Sequence, residues 1–344
     1  MSNSRAIRSQ RFNWLKVTPG GLYCAPGGFF IDPIRPAEKA LITHGHADHA
    51  RPGHKNVLAT NETLAIMRHR YRDASGDVQE TAPLRQPIKI GDVIASFHPA
   101  GHILGSTQIL LEHKGERIVF SGDYKRRRDP TCLAFESVSC DLFITEATFG
   151  IPVFTHPDDK SEVQKLLDSL KLFPDRAHLV GVYALGKCQR LIMLLRELGY
   201  NERIYLHGAH MGLCEVYRSL DVELGDLQTV GESKLKEYGG KIILCPPSAL
   251  GDRWSRRFGD AVFCIASGWM RVLQRAKQKG IELPMIISDH ADWPELLQTV
   301  KDVQADTIWV THGQEDALVY QCRSQGLQAD ALAIAGLGEE GEDE

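Results

Sequence analysis

The sequence lacks any apolar run approaching the roughly 20 residues that a helix needs to cross a bilayer, so no membrane partner is expected. It opens on MSNSRAIRSQRF, which is polar and has no apolar stretch of signal-peptide type. Cysteine is present but never clustered. The eight residues at 24, 132, 140, 188, 214, 245, 264 and 322 include no C-x-x-C pair. They are therefore expected as reduced thiols inside packed elements, neither a disulfide framework nor metal ligands. Repeats at solenoid periods are missing too, and the only biased stretch is the acidic ending GEEGEDE, expected to be a disordered tail. A formal net charge of -4 gives no support by itself to nucleic-acid binding. These absences leave a cytoplasmic globular protein. Its 344 residues suffice for two domains, or for one domain with a large insert.

Charge is less even than its sum. Basic residues gather in YKRRRD (124–129), RWSRRFG (253–259) and WMRVLQRAKQKG (269–280), and local patches set the field that a ligand meets. Short strand-like runs fill the first 150 residues: GGFFID, KALIT, VIASFHPA, STQILLEH, RIVFSGD and CDLFITE, with one helical segment, ETLAIMRHRY. From about residue 160 strands alternate with helices. HLVGVYAL leads into KCQRLIMLLRELG, whose apolar positions 191, 192, 194, 195 and 198 share a helical face. Near residue 285 two further strand–loop–helix units follow, MIISDHADW and DTIWVTHGQED.

The densest chemistry is LITHGHADHA (41–50), where His44, His46, Asp48 and His49 follow an apolar strand. Imidazole and carboxylate together suit zinc, manganese or iron. Two ions ~3.5–4 Å apart need a shared carboxylate and ligands from elsewhere in the chain. His102 in AGHILGS, Asp123 in SGDY and His312 in THGQED supply them. Asp32, His44, Asp123, Glu146, His290 and His312 all fall at strand ends, where α/β layers collect functional groups. The histidines at 54, 69, 113, 156, 178, 207 and 210 carry no such signal and are expected to be ordinary hydrogen-bonded or solvated residues.

The order H-G-H-A-D-H, a later G-H, S-G-D and T-H-G resembles the metallo-β-lactamase fold. ITEATFG, VYALGKCQRL and SDHADW are similar to its nucleic-acid-processing branch with a β-CASP insertion. ASGWM, SDHADWPELL and VTHGQEDALV further resemble the bacterial DNA-ligase-associated exonucleases, over about residues 10 to 335. The resemblance implies an α/β protein: a metallo-β-lactamase αββα sandwich (1–160 and 284–344) with an inserted α/β, β-CASP-like domain (161–283). It implies two divalent ions, zinc or manganese, one held by His44, His46 and His102 and the other by Asp48, His49 and His312, with Asp123 bridging. Asp32 is then either a turn aspartate ahead of Pro33 or the group that orients a histidine of the cluster.

In this reading two ions make hydroxide available for in-line attack on a phosphodiester, with Asp48 among the catalytic residues. His290 protonates the leaving oxygen, and Glu146 sets its tautomer and charge. Gly186 and Lys187 at a strand-to-helix turn, and Arg126, Arg127 and Arg128 just after Asp123, are candidate phosphate contacts. Trp269 either stacks a base or is buried. The expected activity is a metal-dependent nuclease, with a DNA exonuclease in repair favoured and a functional association with an ATP-dependent DNA ligase and a helicase. RNA is the rival substrate, because the resemblance places a histidine like His312 among RNA-cleaving members. A thioester or lactone hydrolase would share the first metal cluster but would not need Glu146, His290 or the insert.

Overall fold

The computed structural model describes residues 11–231, 235–278 and 280–332. The acidic ending, the first ten residues of the polar start and Lys279 of the third basic run lie outside the described residues. The chain forms two compact units. Among the described residues, one holds 11–128, 132–151 and 290–332; the other holds 129–131 and 152–289. The boundaries at 160/161 and 283/284, implied by the resemblance, both fall inside the second unit.

In the first unit, alternating apolar residues build two sheets that share one core. The first runs Leu15–Thr18, Gly21–Cys24, Phe29–Ile31, Lys39–Leu41, Asn56–Ala59, Val78–Thr81. The second runs Gln328–Ala331, Thr307–Gly313, Leu142–Ala147, Glu116–Phe120, Thr107–His113, Val93–Pro99, Ile88–Ile90. Successive side chains of a strand point to opposite faces. Ile109, Leu111, Ile118, Phe120, Leu142 and Ile144 therefore meet Leu22, Ile31 and Leu41 of the other sheet in one buried cluster. Between them in sequence, Leu110, Val119 and Phe143 face the other way, onto Leu296, Val300 and Leu318 of the helices Trp293–Asp302 and Glu315–Ser324. On the far side Ala40, Ile42, Val57 and Ala59 pack against Leu64 and Met67 of the helix Asn61–Tyr71. The result is a helix–sheet–sheet–helix sandwich.

The second unit is an all-parallel sheet ordered Leu227–Thr229, Ile204–Leu206, Ile242–Cys245, His178–Gly181, Val262–Ala266, Leu283–Met285. The helix Lys187–Glu197 buries Leu191, Ile192, Leu194 and Leu195, the face expected from their spacing. It also buries Arg190, whose guanidinium reaches Asp129 at 3.0 Å and Asp159 at 2.6 Å. All eight cysteines are free thiols, seven of them buried. No described helix is long and apolar enough to cross a membrane.

One element departs from expectation. MIISD is not a strand leading to His290; the strand is Leu283–Met285 and stops there. The Ile286 N–H goes to the Glu162 carboxylate at 2.9 Å and the Ile287 N–H turns back to the Met285 carbonyl, so the backbone groups of this run are taken away from the ladder. His290 stands in the following loop, where the chain re-enters the first unit.

Candidate metal centre

Loops leaving neighbouring strand ends carry the site. Asp32 follows the strand Phe29–Ile31, the histidine cluster follows Lys39–Leu41, and Asp123 follows Glu116–Phe120. Glu146 lies at the end of Leu142–Ala147, and His312 at the end of Thr307–Gly313. Two of these residues sit in left-handed backbone, Asp32 at φ 41° and His312 at φ 33°, which costs a non-glycine residue energy and is found where surrounding structure enforces it. The glycines beside the ligands are needed sterically. A Cβ on Gly122 (φ 53°) would stand 2.8 Å from the Thr43 side chain, and one on Gly313 (φ 98°) would stand 2.2 Å from the Ala147 carbonyl oxygen.

Asp123 is the hub. Its Oδ2 lies 3.4 Å from His44 Nε2, 3.5 Å from His49 Nε2 and 3.8 Å from His102 Nε2. Its Oδ1 lies 2.7 Å from His312 Nε2. Ring nitrogens of His46 and His102 approach to 2.9 Å. Donor atoms of His44, His46, His102 and Asp123 form one set within 4.8 Å of one another, and those of His49, Asp123 and His312 form a second. Asp48, less buried than the others, adds a carboxylate oxygen 3.6 Å from His49 Nε2. Six of the seven residues proposed from the sequence as metal ligands stand in these two sets, and Asp48 lies at their edge beside His49.

The histidines are held from behind. Asp32 is fully buried, and its Oδ2 is 2.8 Å from His49 Nδ1, which turns His49 Nε2 toward Asp123. The same carboxylate accepts the Thr43 N–H at 2.8 Å and the Thr43 hydroxyl at 2.6 Å. The Thr43 hydroxyl also stands 3.0 Å from His44 Nδ1. Thr43 was not among the residues read from the sequence, although it directly precedes the H-x-H-x-D-H run.

Electrostatics follow from burial and proximity. Burial would raise the Asp123 carboxyl, yet His49 and His312 beside it hold it well below the usual carboxylate range. Burial opposes charge on His49, but Asp123 and Asp48 outweigh it and the imidazole is raised well above its ordinary value. Burial, reinforced by the nearby His49, pushes His44 far down. The Nε2 atoms of His44 and His49 are buried with no hydrogen-bond partner, a condition that costs ~1–3 kcal/mol per group unless something else satisfies it. Five imidazoles around one shared carboxylate, with unsatisfied nitrogens aimed inward, fit divalent metal ions.

Beside this cluster Glu146, fully buried, holds His290. Glu146 Oε2 is 3.0 Å from His290 Nδ1, and Oε1 accepts the Tyr124 N–H at 2.8 Å. The His290 ring lies 4.6 Å from that of His102, centroid to centroid.

The residues read as phosphate contacts are placed differently. Arg126 bonds Asp302 at 2.5 Å and the Thr299 hydroxyl at 3.1 Å, and Arg127 bonds Asp292 at 2.6 Å and Glu295 at 3.2 Å. Of the three arginines only Arg128 is exposed. Lys187 is buried, with its ammonium 3.0 Å from Asp289 and 4.5 Å from the centre of the Tyr183 ring. The Gly186 N–H donates to Gln189 Oε1 at 2.8 Å. Trp269 is half-buried, edge-on to Phe154.

No family model matches the chain. A probable DNA ligase from Opitutus terrae is 29% identical over 321 residues, covering 91% of this chain and 30% of that protein. Endoribonuclease YSH1 from Gibberella zeae is 30% identical over 195 residues, 46% of this chain and 23% of that protein. The chain thus spans less than a third of the length of either curated relative. A solved structure of a protein of unknown function from Enterococcus faecalis matches with a TM-score of 0.55 at 15% identity, covering 79% of this chain and 74% of that one, a likeness of fold alone. The two-sheet sandwich, the parallel-sheet unit inserted in it and the shared His/Asp cluster define the fold class, a metallo-β-lactamase sandwich with a β-CASP-like insertion.

Proposed function

We propose that this protein is a metal-dependent nuclease that hydrolyses phosphodiester bonds in DNA, removing nucleotides from an end during repair. The observation that carries the reading is Asp123, shared by two buried histidine sets, with the Glu146–His290 pair alongside. His44, His46 and His102 would hold one divalent ion, zinc or manganese, and Asp48, His49 and His312 the other, with Asp123 common to both. When bound, such a pair lowers the pKa of water and neutralises charge on a phosphodiester.

The remaining chemistry belongs to the chain. Asp32 fixes the ring of His49, and Thr43 braces His44 against the same carboxylate. Glu146 takes His290 Nδ1, so proton exchange with a substrate falls to Nε2. A proton given from there to the leaving oxygen completes hydrolysis, and the Glu146 carboxylate stabilises the imidazolium before it is spent. Arg128 is the arginine of its run best exposed to meet a phosphate backbone.

DNA is favoured because a sequence like this chain makes up 30% of a polypeptide named as a probable DNA ligase. End trimming and end joining act on the same substrate, which also supports the functional association with an ATP-dependent ligase and helicase. RNA is the second reading, favoured by the likeness to an endoribonuclease and by the presence of His312 at the metal cluster. Single-stranded DNA and RNA of one sequence, labelled separately at each end and given to zinc- or manganese-loaded protein, decide between them. Stepwise shortening of DNA from one end is the expected result; cleavage of RNA alone would replace it with the second reading.

A further inference from the structure

The arginine that follows the Asp123 loop has carboxylate partners of its own. Arg127 lies four residues after Asp123, yet its guanidinium is spent on the start of the helix Trp293–Asp302, which begins three residues after His290. That start is a reciprocal cap. Asp292 Oδ1 accepts the Glu295 N–H at 3.1 Å, and Glu295 Oε2 accepts the Asp292 N–H at 3.1 Å. The remaining oxygen of each carboxylate goes to Arg127: Asp292 Oδ2 to Nη2 at 2.6 Å, Glu295 Oε1 to Nε at 3.2 Å. All four carboxylate oxygens are used, two by backbone and two by one rigid guanidinium fork. The Asp292 side chain is fully buried and that of Arg127 only 31% exposed.

The same two segments are joined through the backbone. The Ala291 N–H donates to the Tyr124 carbonyl at 2.7 Å, while the Tyr124 N–H donates to Glu146, which holds His290. Tyr124, Glu146, His290 and Ala291 thereby close a ring of hydrogen bonds around the imidazole. Arg127 locks the next residue along, Asp292, to the same strand end that carries Asp123. We propose that Arg127 is a positioning residue for His290, acting through the Asp292–Glu295 cap, and that it does not contact the substrate. This rests on the proposed role of His290 in turnover.

Removing Arg127 alone would strand a buried charge on Asp292, which destabilises the fold by itself. The test therefore uses the double variant Arg127→Met/Asp292→Asn, which removes the tie and the charge together and keeps a side-chain acceptor for the cap, alongside Arg127→Lys. The double variant is expected to retain the wild-type metal content. Its kcat should fall on the order of 100-fold, as misplacing a reacting group by about 1 Å can do, with KM and its salt dependence unchanged. Arg127→Lys, which keeps one of the two bonds, should recover part of kcat. A rise in KM with a shallower salt dependence and unchanged kcat would overturn the proposal and make Arg127 a phosphate contact.

A second measurement does not depend on activity. The proton on His290 Nδ1, assigned by its loss in His290→Ala, should exchange with water faster in the double variant than in the wild type. Equal protection in both proteins would overturn the proposal. If instead the wild type cleaves no nucleic acid, or His290→Ala keeps its kcat, the proposed function fails while this exchange measurement still decides whether Arg127 positions the ring.

Discussion

His312 Nε2 meets Asp123 Oδ1 at 2.7 Å, while His44 and His49 face the other oxygen, Oδ2, from 3.4 and 3.5 Å. One carboxylate is thus approached on each oxygen by histidines that are far apart in sequence. The strained backbone of His312 and the glycine after it are what allow that approach, since any side chain at Gly313 would strike the Ala147 carbonyl. A carboxylate placed in this way can be shared by two cations.

Asp123→Ala should therefore cost the protein its metal and its activity together. Elemental analysis after exhaustive dialysis is expected to find two divalent ions per wild-type chain and a clear deficit in the variant. Full occupancy in the variant would show that Asp123 is not a shared ligand.

Asp32→Asn reaches the metal site only through other residues. It weakens the hold on His49 Nδ1 and on the Thr43 hydroxyl, while the amide oxygen can still accept the Thr43 N–H. Loss of such an orienting partner lowers metal affinity by roughly 10–100-fold. Competition with a chromogenic chelator measures the change directly, and an unchanged affinity would reduce Asp32 to a turn residue.

His290→Ala and Glu146→Gln should separate metal binding from turnover. Both variants are expected to keep the wild-type metal content. The His290 variant should lose on the order of 10²–10⁴-fold in kcat, the usual contribution of a positioned acid. The Glu146 variant should follow it, because the imidazole loses the carboxylate that fixes its tautomer. Wild-type turnover by His290→Ala would remove His290 from the mechanism.

His210 makes a pH-dependent contribution to stability in the second unit. Burial lowers its pKa to about 4, although its Nε2–H donates to the Val182 carbonyl at 3.0 Å. The unfolded chain protonates this ring near its ordinary value of about 6.5, so between that pH and about 4 the unfolded state binds more protons than the folded one. Stability is thus full above the unfolded pKa and is lost as pH falls through the window, by about 3 kcal/mol in all. Urea unfolding of wild type and His210→Gln at pH 7.5 and pH 4.5 checks the sign. The wild type should lose more stability than the variant on acidification, and parallel losses would refute it.

Arg190→Met tests the buried ion pairs of the same unit. The guanidinium is fully buried between Asp129 and Asp159, so its removal leaves carboxylates without their partner, a change that costs about 3–5 kcal/mol. Chemical denaturation is expected to show a loss of that order; a loss within error would mean that water or rearrangement replaces the guanidinium.

Much of this site was legible in the chain because its parts are local. The H-x-H-x-D-H run packs four donors into six positions, and S-G-D and T-H-G each place a candidate ligand beside a glycine with positive φ. The sandwich strands were legible because inward and outward apolar residues alternate, as in Ile109, Leu110 and Leu111. What escaped is what depends on distant partners. Arg126 and Arg127 read as candidate phosphate contacts beside Asp123, and the carboxylates they pair with lie more than 160 positions further on. Lys187 read as a helix-start lysine open to phosphate, while Asp289 draws it into a buried pair. MIISD has the composition of a strand, yet Glu162 takes its backbone N–H. The brace provided by the Tyr124 N–H has no sequence signal, since every non-proline residue carries that group.

The most direct measurement is hydrolysis of end-labelled nucleic acid by wild-type protein, first stripped by chelator and then reloaded with zinc or manganese. The account predicts no cleavage by the stripped protein and cleavage restored by reloading. Cleavage that is indifferent to metal would contradict it, as would no cleavage by reloaded protein that instead turns over a thioester.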